Sequence, residues 1–506
     1  MKLNKIIRLG LLTSGVFLAG CTKLDEKFRS DLTSVAAGSV DVNALLQSSY
    51  DAMQQPYQDQ SEFWAAQEHT TDEAMGPTRG GDWDDNGIWR VLHNHKWDAD
   101  HSFLANAFQN LGKIVFGTTD ILRFSPTPAQ AAQARFLRAF AMFSELDGWG
   151  VVPYREPSGS YSDNPKVRKG VEALDYIVAE LTAILPDLPL TGPAYKANRN
   201  AAKVLLMKCY LNRGAFINRA APTFDNADMQ KVSTLADEIT ATAQYSLANN
   251  YYDNFAKNNS VISTENIFTG ENIGGSKSGN VRSRWFCGLH YNNNPSGWNG
   301  FTTLSDFYDK FEVADSRRRA NYPGVTNVSG LNVGFLIGQQ FNQNGVALND
   351  RKGNALVFSR DVKIKETGNL LEIKGIRVMK YPPDYTSGDN ADNDYVFFRY
   401  ADVVLMKAEA LLRQTTPNPG AALILVNSVR TKRAATLLAS IDLTGLLDER
   451  GREFYWEALR RQDLIRFGKF LTPWQEKPTD DPKNLYFPIP NRELAVNPNL
   501  SQNPGY

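Results

Sequence analysis

The sequence predicts a mainly α protein, built of tetratricopeptide-like helical hairpins that carry long loops and a few short strands. Apolar residues recur three and four apart through the first half of the chain, small residues fill the adjoining faces, and Pro or Gly breaks separate successive segments. In segment 129–146, Phe136, Leu137, Phe140, Phe143 and Leu146 share one helical face. Ala131, Ala132, Ala134, Ala139 and Ala141 would let a second helix approach closely, and Gly148, Gly150 and Pro153 end the segment.

Further helices are expected over 171–185, stopped by Pro186 and Pro189, over 200–216, and over 229–244. Segments 42–53 and 101–122 carry the same spacing. Consecutive helices of this kind bury their apolar faces by stacking, as solenoid repeats do, although the strict repeat signature is absent. The second half is less regular. Residues 261–308 are rich in Asn, Gly and aromatics and read as loop-built surface. Residues 355–379 alternate apolar and polar, as in Val362-Lys363-Ile364-Lys365, which predicts short strands. Helices return at 400–413, 420–431 and 446–467.

The N-terminus reads as an export signal. Lys2, Lys5 and Arg8 precede an apolar run, 9–18, that is too short for the ~20 residues a bilayer-spanning helix needs. It ends in Leu18-Ala19-Gly20-Cys21, which resembles the bacterial lipoprotein box, so residues 1–20 are expected to be removed and Cys21 lipidated. Acyl chains contribute about 0.8 kcal/mol per buried methylene, enough for several chains to anchor a protein firmly. The 55 basic and 55 acidic residues balance, and 42% of the chain is hydrophobic, so a folded body is expected rather than disorder. No basic stripe interleaved with aromatics points to nucleic acid. Cys209 and Cys287 are expected as unpaired thiols, because a chain of this size has core enough without a disulfide.

Several further stretches stand out in the second half. They are Phe398-Arg399-Tyr400-Ala401-Asp402 with the helix that follows, Val426-Asn427-Ser428-Val429-Arg430, Asp448-Glu449-Arg450-Gly451-Arg452-Glu453-Phe454, and Glu457 to Arg466. The closing series adds Phe487-Pro488-Ile489-Pro490, Asn497-Pro498-Asn499-Leu500 and Gln502-Asn503-Pro504-Gly505-Tyr506. Upstream, Ala134-Arg135-Phe136-Leu137-Arg138-Ala139 and Trp298-Asn299-Gly300 complete the set, and together these stretches resemble the SusD/RagB family of outer-membrane nutrient-binding lipoproteins. The resemblance implies four tetratricopeptide-like helix pairs decorated by loops, and a surface-exposed lid over a SusC-like TonB-dependent outer-membrane barrel. It also implies capture of a nutrient without catalysis. The mature chain, 21–506, is expected as a single unit, with a helical-repeat part over about 21–250 and a SusD/RagB part over about 251–506.

The expected cargo is an oligosaccharide. Sugar rings stack apolar faces on flat aromatics while their hydroxyls bond Asp, Asn and Arg, so a site needs exposed aromatics beside polar side chains on loops. Two segments fit, 72–97 and 282–298. The candidates are Asp72, Arg79, Trp83, Trp89, Trp285, Tyr291 and Asn292, with Trp83 and Trp285 expected to supply stacking surface for one ligand. Trp64, Trp97 and Trp298 are assigned to the core. Asp82, Asp84, Asn86 and Gly87 match the first half of a calcium loop, but His93 stands where its closing Glu should be. His93, His95 and His101 match no common zinc spacing. No metal, cofactor or catalytic residue is assigned. The acidic and basic residues at 450–463 are expected to pair along a helix face. Two alternatives remain open: the same fold capturing peptides, and a surface glycosidase using paired carboxylates.

Overall fold

A computed structural model describes residues 40–506. The leader and Cys21 lie outside the described residues.

The first half builds six long helices close to the expected bounds: α1 (Val42–Ala52), α2 (Ser102–Ile121), α3 (Pro128–Trp149), α4 (Gly170–Ile184), α5 (Arg199–Ile217) and α6 (Asn226–Ala241). Local chemistry sets their ends. Thr127 and Gln130 form a capping box at the start of α3, Pro128 occupies its first turn, and Gly150 closes it at φ 74°, a conformation that costs glycine nothing. Asn198 caps α5 and Asp225 caps α6 through their side-chain oxygens. The helices pack in sequence, α2 on α3, α3 on α4, α4 on α5 and α5 on α6. The row then continues across a long insertion, with α6 on α7 (Tyr400–Arg413) and α7 on α8 (Pro419–Lys432).

The expected helix over 446–467 is two helices, α9 (Leu443–Phe454) and α10 (Arg460–Arg466). Between them Trp456 and Ala458 take φ of 61° and 60°. No Gly or Pro marks this break; tertiary bonds hold it. The Trp456 indole donates to the Glu73 carbonyl at 3.2 Å, and the Ala458 amide donates to the Glu68 carboxylate at 2.5 Å. The expected ion pairs along one helix face therefore become mostly ion pairs between elements. Arg450 bonds Asp463 at 2.7 Å and Asp402 at 2.9 Å, and Arg460 bonds Asp72.

The insertion between α6 and α7 holds most of the strands. β1 (Val151–Tyr154) and β2 (Lys166–Lys169) pair earlier in the chain. Within the insertion, β3 (Asn266–Gly270) pairs antiparallel with β9 (Tyr395–Arg399), fully buried. β4 (Arg319–Ala320), β5 (Val333–Leu336) and β8 (Arg377–Met379) form a three-stranded sheet, and β6 (Gly338–Gln339) pairs with β7 (Val357–Phe358). The alternation at Val362–Lys365 does not make the expected strand; its one ladder contact is an isolated bridge from Lys365 to Thr78. Segment 261–308, expected as loop, contains β3 and two four-residue helical turns, Ser283–Phe286 and Ser305–Tyr308. Cys209 and Cys287 are free thiols in the core. Trp64 and Trp97 are buried as expected, whereas Trp298 is half-buried. Residues from Val42 to Tyr506 form one unit. Among the described residues no helix is long and apolar enough to cross a membrane.

Candidate ligand-binding site

Two of the expected aromatic loops meet on one face of the molecule, tied together from below by Arg79. The Arg79 amide donates to the Trp83 carbonyl at 2.8 Å and the Asp82 amide to the Arg79 carbonyl at 2.9 Å, which folds 79–83 into a tight turn with Gly80 at φ 53°. The Arg79 side chain points inward and is fully buried. Its guanidinium donates to the carbonyls of Asn299, Gly300 (2.7 Å) and Lys374 (3.2 Å), so one side chain pins the 79–83 turn to two other loops. Burial pulls its pKa down to about 10, still charged at neutral pH. Arg79 therefore organises the loops rather than reaching into solvent.

Above this anchor the Trp83 ring stands half-exposed. It rests edge-on against Phe301, with ring centres 5.9 Å apart. Gly300 permits this placement: a Cβ there would sit 3.0 Å from the Trp83 ring and 3.1 Å from the Cys287 carbonyl. Tyr291, also half-buried, bonds the Asp82 carbonyl through its hydroxyl at 3.4 Å, so the two loops touch. The Arg351 guanidinium lies 3.7 Å over the Tyr291 ring.

Arg351 is the residue that sequence reasoning missed. It is 47% exposed, yet held on three sides by the Tyr291 ring, the Asp82 carboxylate, and Glu372, 3.0 Å from its Nε. Glu372 also accepts from His290 Nε2 at 2.8 Å. The Asn292 amide donates to His290 Nδ1 at 3.0 Å, which fixes the tautomer with the proton on Nε2. These donors hold the Glu372 carboxyl below the usual carboxylate range despite its burial. Asn299 bridges Asp82 at 3.0 Å and the Glu372 carbonyl at 2.9 Å. The signal for Arg351 was faint: a charged pair, Arg351-Lys352, before Gly353, just ahead of the stretch 355–379 read as strands.

The remaining candidates divide between the rim of this site and the core. Asn292 is exposed and donates to the Asn349 carbonyl at 2.8 Å, so it belongs to the rim of the same site. Trp89 is 2% exposed; its indole bonds Asp85 at 2.6 Å, and its ring packs on Phe103 and Phe301. Trp285 is 4% exposed, on a short helical turn whose next residues are core. Neither ring presents a face to solvent, so the expected pairing of Trp83 with Trp285 as platforms gives way to Trp83 with Tyr291 and Arg351. Asp72 is taken by a bidentate pair with Arg460, at 2.7 and 2.8 Å, which keeps its carboxyl ionised and unavailable to a ligand.

The calcium and zinc patterns are engaged otherwise. Asp82 is bonded by Arg351 and Asn299. His93 faces the carbonyls of Ala74 and Gln475, His95 bonds Asp480 at 2.7 Å, and His101 faces the Ile88 carbonyl. Among the described residues no three His, Cys, Asp or Glu side chains converge on a metal-sized point. The carboxylates Glu449, Glu453 and Glu457 are each clamped by arginine or lysine in the core, which is ion-pair structure rather than a flanked scissile bond.

Relatives place this architecture. The starch-binding protein SusD of Bacteroides thetaiotaomicron is 27% identical over 430 residues, covering 77% of this chain and 74% of that one. A SusD superfamily protein of Parabacteroides distasonis has the same fold at 17% identity, with a TM-score of 0.72 over 92% of this chain and 98% of its own. So does surface glycan-binding protein A of Bacteroides thetaiotaomicron, solved with laminarihexaose, at 18% identity and a TM-score of 0.68 over 91% and 98%. The sequence profile of the SusD family matches residues 241–506, from the end of α6 through the insertion to the C-terminus, and this chain belongs to that family.

Proposed function

We propose that the protein captures an oligosaccharide on the face built by Trp83, Tyr291, Arg351 and Asn292, and delivers it to a TonB-dependent outer-membrane barrel. The observation that carries this reading is that the turn bearing the half-exposed Trp83 indole also supplies, at the neighbouring Asp82, the carboxylate that holds the exposed Arg351 guanidinium. The indole offers an apolar plane to a sugar face. Arg351, fixed by Asp82 and Glu372, offers donors to hydroxyls with little rotamer freedom left to lose. Asp84 and Asn292 add exposed polar groups on the same loops. The names of the relatives support carbohydrate as the class of cargo. The Cys21 box supports a lipid anchor that would hold the protein at the outer membrane.

The reading is tested by a glycan-array screen of the purified soluble form, followed by calorimetry on each hit with wild type and Arg351→Ala. Binding without cleavage, weakened about tenfold or more by Arg351→Ala, is the expected result. Turnover of a bound glycan would move the protein to the enzymes. Delivery is tested separately, by mild detergent extraction and affinity capture. A barrel should co-purify, and recovery of the chain alone with a transporter demonstrably co-expressed would refute that half.

A further inference from the structure

A cavity of ≈ 310 Å³ lies between α2, the C-terminal half of α3, β1 and a short helix near the C-terminus, Asn491–Val496. It belongs to none of the loops described above. Its volume falls at the lower end of the range for small-molecule sites.

The group that gives it chemical character is Glu145. This side chain lines the cavity, is 1% exposed, and has a carboxyl oxygen with no hydrogen-bond partner. A buried carboxyl without a partner costs stability, so native proteins rarely keep one without a use for it. The cations around the cavity are committed elsewhere. Arg123 pairs with Asp120 at 3.2 Å and bonds the Gly159 carbonyl at 2.9 Å. Arg155 bonds the Asp163 carbonyl at 3.0 Å, and Lys113 bonds Asn110 at 2.9 Å. The other acid facing Glu145 is Glu493, whose nearest cation, Arg492, stands 3.6 Å away. Burial and Glu493 push the Glu145 carboxyl well above the usual carboxylate range. The floor therefore holds an acid that favours its neutral form until a cation stands beside it to ionise it.

The walls suit one. Phe116 is 45% exposed, and Tyr154 is half-buried, with Arg168 over its ring at 3.4 Å. Both rings line the cavity, and aromatic faces attract cations. Gly112 leaves the approach open: a Cβ there would stand 3.6 Å from Glu145 Oε1, and a longer side chain would fill the space before the carboxyl.

We propose that this cavity binds a small organic ammonium, with the Glu145 carboxylate as its counter-ion and Phe116 and Tyr154 as its walls. The site is separate from the Trp83 face and does not rest on the reading of that face. The test compares glucosamine with glucose, which differ by an ammonium in place of a hydroxyl, using calorimetry on the wild-type protein. Glucosamine should bind and glucose should not. Glu145→Gln, which keeps the shape and removes the charge, should weaken glucosamine about tenfold or more. Gly112→Gln, which fills the approach and leaves Glu145 in place, should do the same, with melting curves confirming that both variants fold. No binding of glucosamine to wild type, equal binding of the two sugars, or unchanged glucosamine affinity in a folded Glu145→Gln protein would overturn the proposal.

Discussion

The Arg433 guanidinium lies 2.8 Å from the Glu453 carboxylate, and both side chains are wholly buried. Glu453 takes two further arginines, Arg317 at 2.9 Å and Arg399 at 2.6 Å, and Arg433 and Arg399 also share Glu265. The three cations hold the Glu453 carboxyl well below the usual range. This lattice joins α9 to β9, to the residues after α8, and to the insertion. Removing its central anion leaves three buried guanidinium groups short of charge, so Glu453→Gln should lose about 3–5 kcal/mol of stability. The sign with pH follows from the depressed value. The contribution is complete above the unfolded carboxyl pKa of about 4.3 and is lost as pH falls through the folded value. Urea midpoints at neutral pH check the size; a variant as stable as wild type would show that the lattice is neutral to stability.

How far the sequence foretold this arrangement depended on which force set each element. α1 to α8 were legible because an apolar stripe and local caps, such as Thr127 with Gln130, act within a few residues. The split between α9 and α10 was not legible, because Trp456 and Ala458 are held at positive φ by Glu73 and Glu68, almost 400 residues away in sequence. The site was half legible. Gly and Asp flanks marked Trp83 as exposed, but the same kind of flank surrounds Trp89, which turns inward because Asp85 caps its indole. Arg351 could not be found from its neighbours, since its role comes from Asp82 and Glu372 on other loops.

His69 gives a pH prediction. Its ring is wholly buried, edge-on to Phe301 at 4.3 Å, and neither nitrogen has a hydrogen-bond partner. Burial, His93 and Arg284 hold its pKa well below 6.5. The unfolded chain therefore binds a proton that the folded chain refuses, and wild type should lose stability as pH falls below about 6.5, by up to ~1.4 kcal/mol per pH unit. His69→Phe should lack that contribution, so the stability difference between the two proteins should grow in the variant's favour from pH 7 to pH 5. A difference that stays constant across that window would exclude His69 as its source.

Cys21 should be the anchor. Cys21→Ala should leave the protein soluble or as an unprocessed precursor that retains residues 1–20. Metabolic labelling with a fatty acid, together with membrane fractionation, checks this. Acylated, membrane-bound Cys21→Ala protein at wild-type levels would refute it.

The two tryptophans first expected to share a ligand should now separate. Trp285→Ala removes a side chain that is 4% exposed, so it should cost about 3–5 kcal/mol of folding stability. Trp83→Ala removes a half-exposed ring packed on Phe301 and over Gly300, so it should cost less than Trp285→Ala. Its loss should instead weaken glycan binding by about 1–3 kcal/mol, roughly tenfold or more, as for a binding hot spot. Gly300→Ala offers a third point. It leaves the indole in the chain but crowds it from 3.0 Å, with the Cys287 carbonyl blocking retreat, so the ring must shift. That variant should bind weakly like Trp83→Ala. Melting temperature and glycan affinity measured together on all three decide the matter. Strong binding by a folded Trp83→Ala protein would remove the indole from the site and leave Arg351 and Tyr291 to account for recognition.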